Sequence, residues 1–334
     1  MSMVINWAIV GYADIVTRQI MRAMEESKES RLVALLRRDK LEAKKTAKQY
    51  EIEKYYDNVE DLGKDKDVQA VYIATPPFLH HSQTVKLANY GKHILCEKPM
   101  ALSIEECKNM IDAASKNRVK LMIGHCFRFH PSVEKIRELI GKKAIGQIAY
   151  TRTSFTFLFP VDPHSWYYKP EMSGGGPMMD VGIHCIDTLR YIFGKKVKSV
   201  YATSKPGKNK TQVELTMLAS LNFENDLKAL VECSFETIRT GGVLEIYGSG
   251  GIIRGERIYE NKKGTVSIQR EEGKESIDVR DDDIYTVEID HFIECIKEDR
   301  EPLISGKESL EDIRVVLGAY RSCETGRRVN LNQE

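Results

Sequence analysis

The sequence predicts an α/β protein, with an N-terminal doubly wound parallel sheet and a C-terminal α+β domain containing a large, mostly antiparallel sheet. Two observations support this fold class. Short apolar runs alternate with amphipathic helical patterns in the first third of the chain, whereas closely spaced β-branched and aromatic runs follow. A length of 334 residues also favours two domains over one core. We predict domains at 1–124 and 125–334.

The first domain contains buried strands separated by helices. Continuous apolar strands of this kind are typical of a parallel sheet that is covered on both faces, and right-handed crossovers then make it doubly wound. The predicted strands are Ile5–Val10, Leu32–Leu36, Ala70–Ala74, His93–Cys96 and Lys120–Ile123. The predicted helices are Ile15–Met24, Leu41–Tyr50, Ser82–Tyr90 and one that starts at Ser103, where Ser103 to Glu106 have the spacing of a capping box.

The second domain shows the alternation that is typical of an antiparallel sheet with one face on a core. The predicted strands are Ile148–Phe159, Val197–Thr203, Val213–Phe223, Ala229–Phe235 and Val243–Tyr247. Two helices, near Glu288–Glu298 and Leu310–Thr325, are expected to close the chain.

The composition argues against several classes of function. Fifty basic residues nearly cancel forty-nine acidic ones, so neither nucleic acid nor an anionic membrane is expected as the main partner. The lysine-rich run from Lys205 to Lys210 is interpreted as a solvated loop. Seven scattered cysteines without a close pair argue against a disulfide framework or a cysteine-rich zinc site. With neither a leader-like segment nor a membrane-length apolar run, the sequence predicts a cytoplasmic protein.

The end of the first predicted strand carries a weak dinucleotide fingerprint, Gly11-Tyr12-Ala13-Asp14-Ile15. Such a fingerprint needs a tight turn, close approach of the backbone to a pyrophosphate, and a helix N-terminus aimed at it. Gly11 suits the turn, and Ala13 can replace the second glycine if its φ is negative. Val16 is larger than the usual third residue, so a plain strand-turn-helix remains an alternative. The position of the motif favours a Rossmann domain.

The end of the second predicted strand carries Arg37 and Arg38 where an NAD enzyme typically offers a carboxylate to the ribose. Guanidinium groups pair with a phosphate bidentately and stack on adenine. The sequence therefore favours NADP over NAD, with a solvated helix start as the alternative interpretation.

Several short segments occur in a characteristic order along nearly the whole chain. They are Ala74-Thr75-Pro76-Pro77 with His80, Gly91-Lys92-His93, Glu97-Lys98-Pro99, Arg128 to Pro131, Ser173-Gly174-Gly175-Gly176 followed by Asp180, Gly182, His184 and Asp187, His291-Phe292-Ile293 and Ala319-Tyr320-Arg321-Ser322. Together they resemble the signatures of the Gfo/Idh/MocA oxidoreductases, with departures at Ala13 and Val16. The resemblance implies a Rossmann domain followed by a β-rich substrate domain.

Three residues are candidates for catalysis. Asp180 and His184 are four apart in a predicted helix and project from one face, with Asp187 close to that face. An imidazole can exchange the proton of an alcohol near neutral pH, and a carboxylate can orient the ring or the substrate. Lys98 follows a parallel strand, where its ammonium can polarise a carbonyl oxygen. The family resemblance implies that Lys98, Asp180 and His184 form the catalytic group.

The resemblance also implies further binding residues. Cofactor contacts are expected at Gly11, Ala13, Asp14, Ile15, Arg37, Arg38, Thr75, Pro76, His80, Glu97 and Lys98. Substrate contacts are expected at Lys98, Arg128, Trp166, Tyr167, Asp180 and His184, with His164 nearby, although core packing is an equal alternative for the two aromatic residues.

The predicted function is NADP-dependent hydride transfer to or from a secondary alcohol or ketone of a sugar, cyclitol or related polyol. One alternative is a nicotinamide-dependent glycoside hydrolase that uses transient oxidation, and another is a non-catalytic NADP-binding sensor. A metal site built from His125, His130, His184 and Asp180 lacks a compact ligand motif, so we predict no metal. Family resemblance implies a homodimer or homotetramer.

Overall fold

A computed structural model of the chain describes residues 3–160, 162, 164–207 and 213–331. Within this described part, the chain forms two compact units. The first unit comprises residues 1–125 and 285–310, and the second comprises 126–284 and 311–334. Residues 285–310 therefore pack with the first unit, whereas the sequence analysis assigned all of 125–334 to the second domain. A single boundary between residues 124 and 125 leaves out the later segment 285–310, which belongs to the first unit.

The first unit is built on a six-stranded parallel sheet in the order β3-β2-β1-β4-β5-β6. Each neighbouring pair is parallel, and the order reverses between β1 and β4. This is the doubly wound arrangement that the apolar strands predicted, and it is confirmed. The strands are β1 (Ile5–Val10), β2 (Ser30–Leu36), β3 (Lys54–Tyr56), β4 (Ala70–Ile73), β5 (His93–Glu97) and β6 (Leu121–Gly124).

The helices between these strands begin at recognisable caps. Asp39 accepts hydrogen bonds from the amides of Leu41 and Glu42, and Ser103 accepts one from the amide of Glu106, as the capping box predicted. The helices of the first unit are α1 (Met21–Glu26), which continues from a π-helical turn Val16–Ile20, α2 (Lys40–Gln49), α3 (Val59–Lys64), α4 (His80–Asn89) and α5 (Ile104–Lys116).

The second unit contains a nine-stranded sheet in the order β14-β13-β12-β11-β7-β10-β9-β8-β15. Among the described strands of this second sheet, β7 and β10 pair in parallel and every other neighbouring pair is antiparallel, so the prediction of a mostly antiparallel sheet is confirmed. The strands are β7 (Ile148–Thr156), β8 (Val197–Lys205), β9 (Thr216–Phe223), β10 (Lys228–Ser234), β11 (Val243–Gly248), β12 (Gly251–Glu256), β13 (Thr265–Arg270), β14 (Gly273–Ile277) and β15 (Val329–Asn330).

The remaining helices include the segment that carries the predicted catalytic pair. A π-helical turn, Met178–Gly182, runs directly into α8, which is almost entirely buried. The helices are α6 (Pro131–Gly141), α7 (Pro170–Ser173), α8 (Ile183–Phe193), α9 (Ile284–Lys297) and α10 (Gly306–Thr325).

Two surface predictions can be compared with the structure. None of the described helices is both long and apolar enough to cross a membrane. Of the lysine-rich run, Lys205 forms an ion pair with Glu236, whereas residues 208–210 lie outside the described part of the chain.

Candidate active site

The turn after β1 is tight and specifically needs glycine. Gly11 has a φ of +101°, a conformation that L side chains rarely adopt. A Cβ atom at this position would lie 2.5 Å from the carbonyl oxygen of Ala74, which follows β4. The chain therefore turns close to the neighbouring strand, as a dinucleotide fingerprint requires.

The helix after this turn starts with a π-helical segment. The amide of Met21 donates to the carbonyl of Val16, five residues earlier, and Val16 is completely buried. Ala13 is not among the residues with positive φ, so the condition for replacing the second glycine is met. The Asp14 carboxylate is exposed and pairs with Arg18 at 3.0 Å. Amides in the first turn of a helix lack intrahelical acceptors, so Ala13 to Ile15 can face a pyrophosphate.

The two arginines after β2 have different surroundings. Arg37 is half-buried: its guanidinium donates to Thr46 at 2.5 Å and lies 4.3 Å from the centre of the Tyr12 ring. The exposed Arg38 has no hydrogen bond or ion pair with any residue that the structure describes. Asp39, the nearest carboxylate, caps α2, and these amide hydrogen bonds lower its pKa. The edge of β2 therefore presents a cation to a ligand, while the acid is occupied.

Two tyrosines lie beside Arg37 and were not among the predicted site residues. The hydroxyl of Tyr12 donates to that of Tyr50 at 3.2 Å, and the ring centres are 6.4 Å apart. Burial and the hydrogen bond to Tyr50 raise the pKa of Tyr12 to about 12. The hydroxyl of Tyr12 therefore stays neutral at physiological pH. A tyrosine in a glycine-rich turn gives no sequence signal of its own, because the fingerprint leaves that position open.

Thr75, Pro76 and His80 follow β4 in one compact turn. Thr75 donates through its hydroxyl to Gln83 at 2.7 Å. The ring of His80 is completely buried, with Nε2 2.8 Å from the carbonyl of Thr75 and Nδ1 2.9 Å from that of Pro99. Burial lowers the pKa of His80. This histidine therefore joins the loop after β4 to the loop after β5.

Lys98 follows β5 at the same sheet edge, and a buried cluster lies beneath it. The hydroxyl of Tyr72 donates to Glu97 at 2.5 Å, and the amide of Lys98 donates to the other Glu97 oxygen at 3.2 Å. Burial raises the pKa of Tyr72 well above its usual value, and the charges of Glu97 and Glu288 raise it further. Glu288 is 1% exposed and lies on α9, so residues 285–310 contribute a carboxylate to this cluster.

In the second unit, Asp180 lies within the π-helical turn and His184 lies in the first turn of α8. The amide of Ile183 donates to the carbonyl of Met178, five residues earlier, which defines the wider turn. Single π-helical turns inside α-helices occur frequently at functional sites. Asp180 is half-buried, whereas His184 is 6% exposed.

Aromatic side chains fix the orientation of His184. Its ring centre is 4.8 Å from that of Phe127, at an interplanar angle of 72°, and 6.2 Å from that of Phe155. Tyr259 stacks on Phe155 at 5.0 Å and contacts Phe127 edge-on at 5.3 Å. The imidazole is therefore held against an apolar wall with few alternative rotamers.

Arg128 and Asp187 form a buried ion pair. The guanidinium donates through Nε and Nη2 to the same carboxylate oxygen, at 2.8 and 2.7 Å. The two side chains are 3% and 1% exposed. The predicted substrate contact at Arg128 therefore belongs to a residue whose guanidinium holds Asp187, three residues beyond His184 on α8.

The predicted aromatic contacts form a separate half-buried pair. Trp166 and Tyr167 stack with ring centres 3.9 Å apart, and Phe159 packs on Tyr167 at 5.2 Å. His164, just before them, is exposed. Such flat rings can cover the C–H face of a sugar.

Two of the four residues considered for a metal site have structural hydrogen bonds. His130 caps α6, because its Nδ1 accepts from the amide of Ser132 and its Nε2 lies 3.1 Å from the carbonyl of Lys262. In the first unit, His125 lies 3.2 Å from the hydroxyl of Ser309. Each of these two imidazoles therefore has at least one hydrogen-bond partner within the protein.

Family models match both units. Residues 5–125 match the family described as "Oxidoreductase family, NAD-binding Rossmann fold", and residues 133–254 match the "GFO/IDH/MocA C-terminal domain". The chain belongs to the Gfo/Idh/MocA oxidoreductase family. The resemblance predicted from the signature segments is thus confirmed, and the protein is an enzyme of the oxidoreductase class.

Relatives of this oxidoreductase match it over nearly its whole length. It is 25% identical to 1,5-anhydro-D-fructose reductase of Ensifer adhaerens, over 98% of each chain. It is 28% identical to D-xylose 1-dehydrogenase (NADP(+)) 2 of Haloferax volcanii, over 98% of this chain and 99% of that one. A solved structure of aldose-aldose oxidoreductase from Caulobacter crescentus, complexed with glycerol, is 28% identical with a TM-score of 0.92, covering 98% of this chain and 99% of that one.

Proposed function

We propose that this oxidoreductase uses NADP to interconvert a secondary alcohol and a ketone on a sugar, cyclitol or related polyol. Family membership and the names of its relatives support the sugar or polyol substrate. The observation that carries the NADP assignment is the exposed Arg38 guanidinium after β2, next to an aspartate that is occupied as a helix cap. Arg37, Thr75, Pro76, Glu97 and the turn Gly11 to Ile15 would hold the rest of the nucleotide.

The proposed chemistry divides a proton transfer and a hydride transfer between different groups. When bound, NADP supplies the nicotinamide that accepts or returns the hydride. In the direction of oxidation, His184 accepts the hydroxyl proton as the carbon–oxygen bond becomes a carbonyl, and it returns this proton in the reverse direction. The ammonium of Lys98 stabilises the negative charge that develops on the substrate oxygen. Asp180 accepts a hydrogen bond from the substrate or from the imidazole.

The NADP assignment predicts a selective effect of Arg38→Ala. We expect the Kd for NADPH to rise about 10- to 100-fold, because a charge-assisted hydrogen bond to the 2′-phosphate is lost. The Kd for NADH is expected to remain unchanged, since NADH lacks that phosphate. Arg31→Ala is the matched control, because Arg31 is an exposed arginine of β2 that pairs with Glu53. An equal loss of affinity for both nucleotides in Arg38→Ala would contradict the assignment.

The proposed function is tested by titrating the purified protein with NADPH and NADH, followed by turnover with a panel of sugars and polyols. We expect tighter binding of NADPH and a change in nicotinamide absorbance with at least one substrate. Tight binding without net turnover would favour the transient-oxidation hydrolase or the sensor instead. If neither nucleotide binds, the proposal is wrong.

We also propose that a second copy of the chain pairs through the outer face of the nine-stranded sheet. Large apolar side chains are exposed there, including Tyr150, Leu218 and Leu230, which are 43%, 51% and 46% exposed. Tyr150 stacks on Tyr247 of the adjacent strand at 4.4 Å, which makes a flat apolar patch. Light scattering is expected to give a dimer or tetramer, and Leu230→Lys is expected to reduce the mass. A monomeric wild-type protein would overturn this proposal.

A further inference from the structure

The helical segment that carries Asp180 and His184 begins at a residue that cannot cap it. Gly176 precedes Pro177, which suits the first helical position. The first amides of a helix lack intrahelical acceptors, and Ser, Thr, Asp or Asn usually supplies one from the N-cap position. Glycine has no side chain for this purpose, so the acceptor comes from elsewhere in the chain.

Glu214 supplies it. One carboxylate oxygen accepts from the amide of Gly176 at 3.0 Å, and the other accepts from the amide of Met178 at 3.2 Å. Glu214 lies just before β9, 36 residues beyond Met178 in the sequence. A negative charge at this end of a helix also complements the helix dipole. Both carboxylate oxygens therefore hold the same first turn.

Tyr320 of α10 fixes the carboxylate in turn. Its hydroxyl donates to Glu214 at 2.9 Å, and its side chain is half-buried. The turn is shaped around these two residues, because a Cβ on Gly175 would lie 1.9 Å from the Tyr320 hydroxyl oxygen. A Cβ on Gly176 would lie 2.1 Å from the carbonyl oxygen of Glu214. Any side chain at Gly175 or Gly176 would therefore clash with Tyr320 or Glu214, which explains why this turn contains consecutive glycines.

The burial of this carboxylate is costly, and the helix amides offset it. Glu214 is 9% exposed; burial raises its pKa, and the hydrogen bonds from Gly176, Met178 and Tyr320 oppose that rise. Buried carboxylates are rare unless they are paired or accept several hydrogen bonds. The proposed proton and hydride transfers make no use of this group.

We propose that Glu214 and Tyr320 are positioning residues, which fix the start of the helical segment and thereby the placement of Asp180 and His184. This inference rests on the proposed function. Asp180 is two residues beyond Met178, whose amide Glu214 holds, so loss of these hydrogen bonds releases the turn that contains it. Small displacements of catalytic groups reduce the rate of the chemical step more than they reduce binding.

The principal test is Glu214→Gln, which keeps the size of the side chain but replaces one acceptor oxygen with an NH₂ donor. We expect kcat to fall about 10- to 100-fold. The Kd for NADPH is expected to stay within about twofold of wild type, because no residue of the turn is assigned to the nucleotide, and the fall in kcat is expected to exceed any rise in the substrate KM. Glu214→Asp, which retains the charge on a shorter side chain, is expected to restore part of the activity, and Tyr320→Phe is expected to show a smaller loss than Glu214→Gln.

Glu245→Gln is the matched control. Glu245 is a 5% exposed carboxylate of the same unit that pairs with Arg152 and Arg254 on the sheet. Its replacement removes a buried charge without touching the glycine-rich turn. We expect the control to lower the melting temperature but to leave kcat unchanged. An equal loss of kcat in both variants would reduce Glu214 to a general contributor to stability, and the proposal would be wrong.

Amide hydrogen exchange over residues 174–182 tests the inference without any turnover. We expect faster exchange in this segment in Glu214→Gln than in wild type or Glu245→Gln. If wild type does not turn over any substrate, the proposed function fails, and the exchange result alone then decides whether Glu214 fixes this turn. Unchanged exchange in Glu214→Gln would overturn the inference, whatever the activity.

Discussion

Replacing Lys98 with methionine is expected to lower kcat about 10²- to 10³-fold, because methionine retains the length of the side chain but removes the charge that stabilises the substrate oxygen. Lys98 directly follows β5 at the carboxyl edge of the parallel sheet, where ligands bind in open α/β sheets. The measurement is steady-state turnover with the best substrate from the panel.

Lys86→Met provides the control for this experiment. Lys86 lies on α4 of the same unit, and its ammonium pairs with Glu60 on the surface. We expect wild-type kcat for this control, and a melting temperature close to that of wild type for both variants. Lys98→Met is also expected to bind NADPH still, so that the loss belongs to the chemical step. Full turnover in Lys98→Met would refute the catalytic assignment.

Replacing Arg128 with methionine is expected to lower the free energy of unfolding by about 3–5 kcal/mol, because it removes the guanidinium that pairs with the buried carboxylate of Asp187. For a chain of this size, the melting temperature is expected to fall by roughly 10 °C. Calorimetry or denaturant unfolding measures the effect. If Arg128 instead acts mainly as a substrate contact, KM rises while the stability remains that of wild type.

The double variant Arg128→Met with Asp187→Leu tests whether the loss of stability comes from the unbalanced charge or from altered packing. When both partners of a buried ion pair are replaced by apolar groups, much of the stability is expected to return. The exposed pair of Arg31 and Glu53 gives the comparison, and Arg31→Met is expected to change the stability by less than about 1 kcal/mol. A double variant as unstable as Arg128→Met would show that the shape of this site, rather than its charge balance, is what matters.

The sequence predicted the buried elements well and the exposed ones poorly. Ile5–Val10 is recognisable because almost every residue of β1 is apolar and buried. By contrast, β3 is three residues long and only partly buried, and β14 is exposed along nearly its whole length. Such strands form because a neighbouring strand offers backbone hydrogen bonds. Their sequences therefore lack the alternating apolar pattern from which a strand is predicted. The strands β3 and β14 were missed for this reason. The short elements α3, β12 and β13 were also not predicted, although each contains buried residues.

The candidate site was predictable to the extent that it lies in local motifs. Lys98, Asp180 and His184 are found through short signature segments, whereas Glu214 is a single acid in a loop far from Met178 in sequence. Glu288 reaches the Tyr72 cluster from α9, almost two hundred residues after Glu97. Contacts between distant segments arise from tertiary packing, so local patterns in a single sequence do not predict them. The buried ion pair of Arg128 and Asp187 also could not be predicted from the sequence, because arginine side chains are usually exposed.

The two π-helical turns, Val16–Ile20 and Met178–Gly182, have a consequence for anyone who engineers or aligns this chain. Each turn holds one residue more than the α-helical repeat provides, so it acts as a built-in insertion. A deletion of one residue between Met178 and Gly182 would be absorbed as an ordinary α-helical turn. The helix would then remain continuous, and the residues on its two sides would keep nearly the same orientation relative to each other, because the wider turn already accommodates the extra residue. A one-residue deletion elsewhere in the same helix would instead rotate the two sides by about 100° relative to each other.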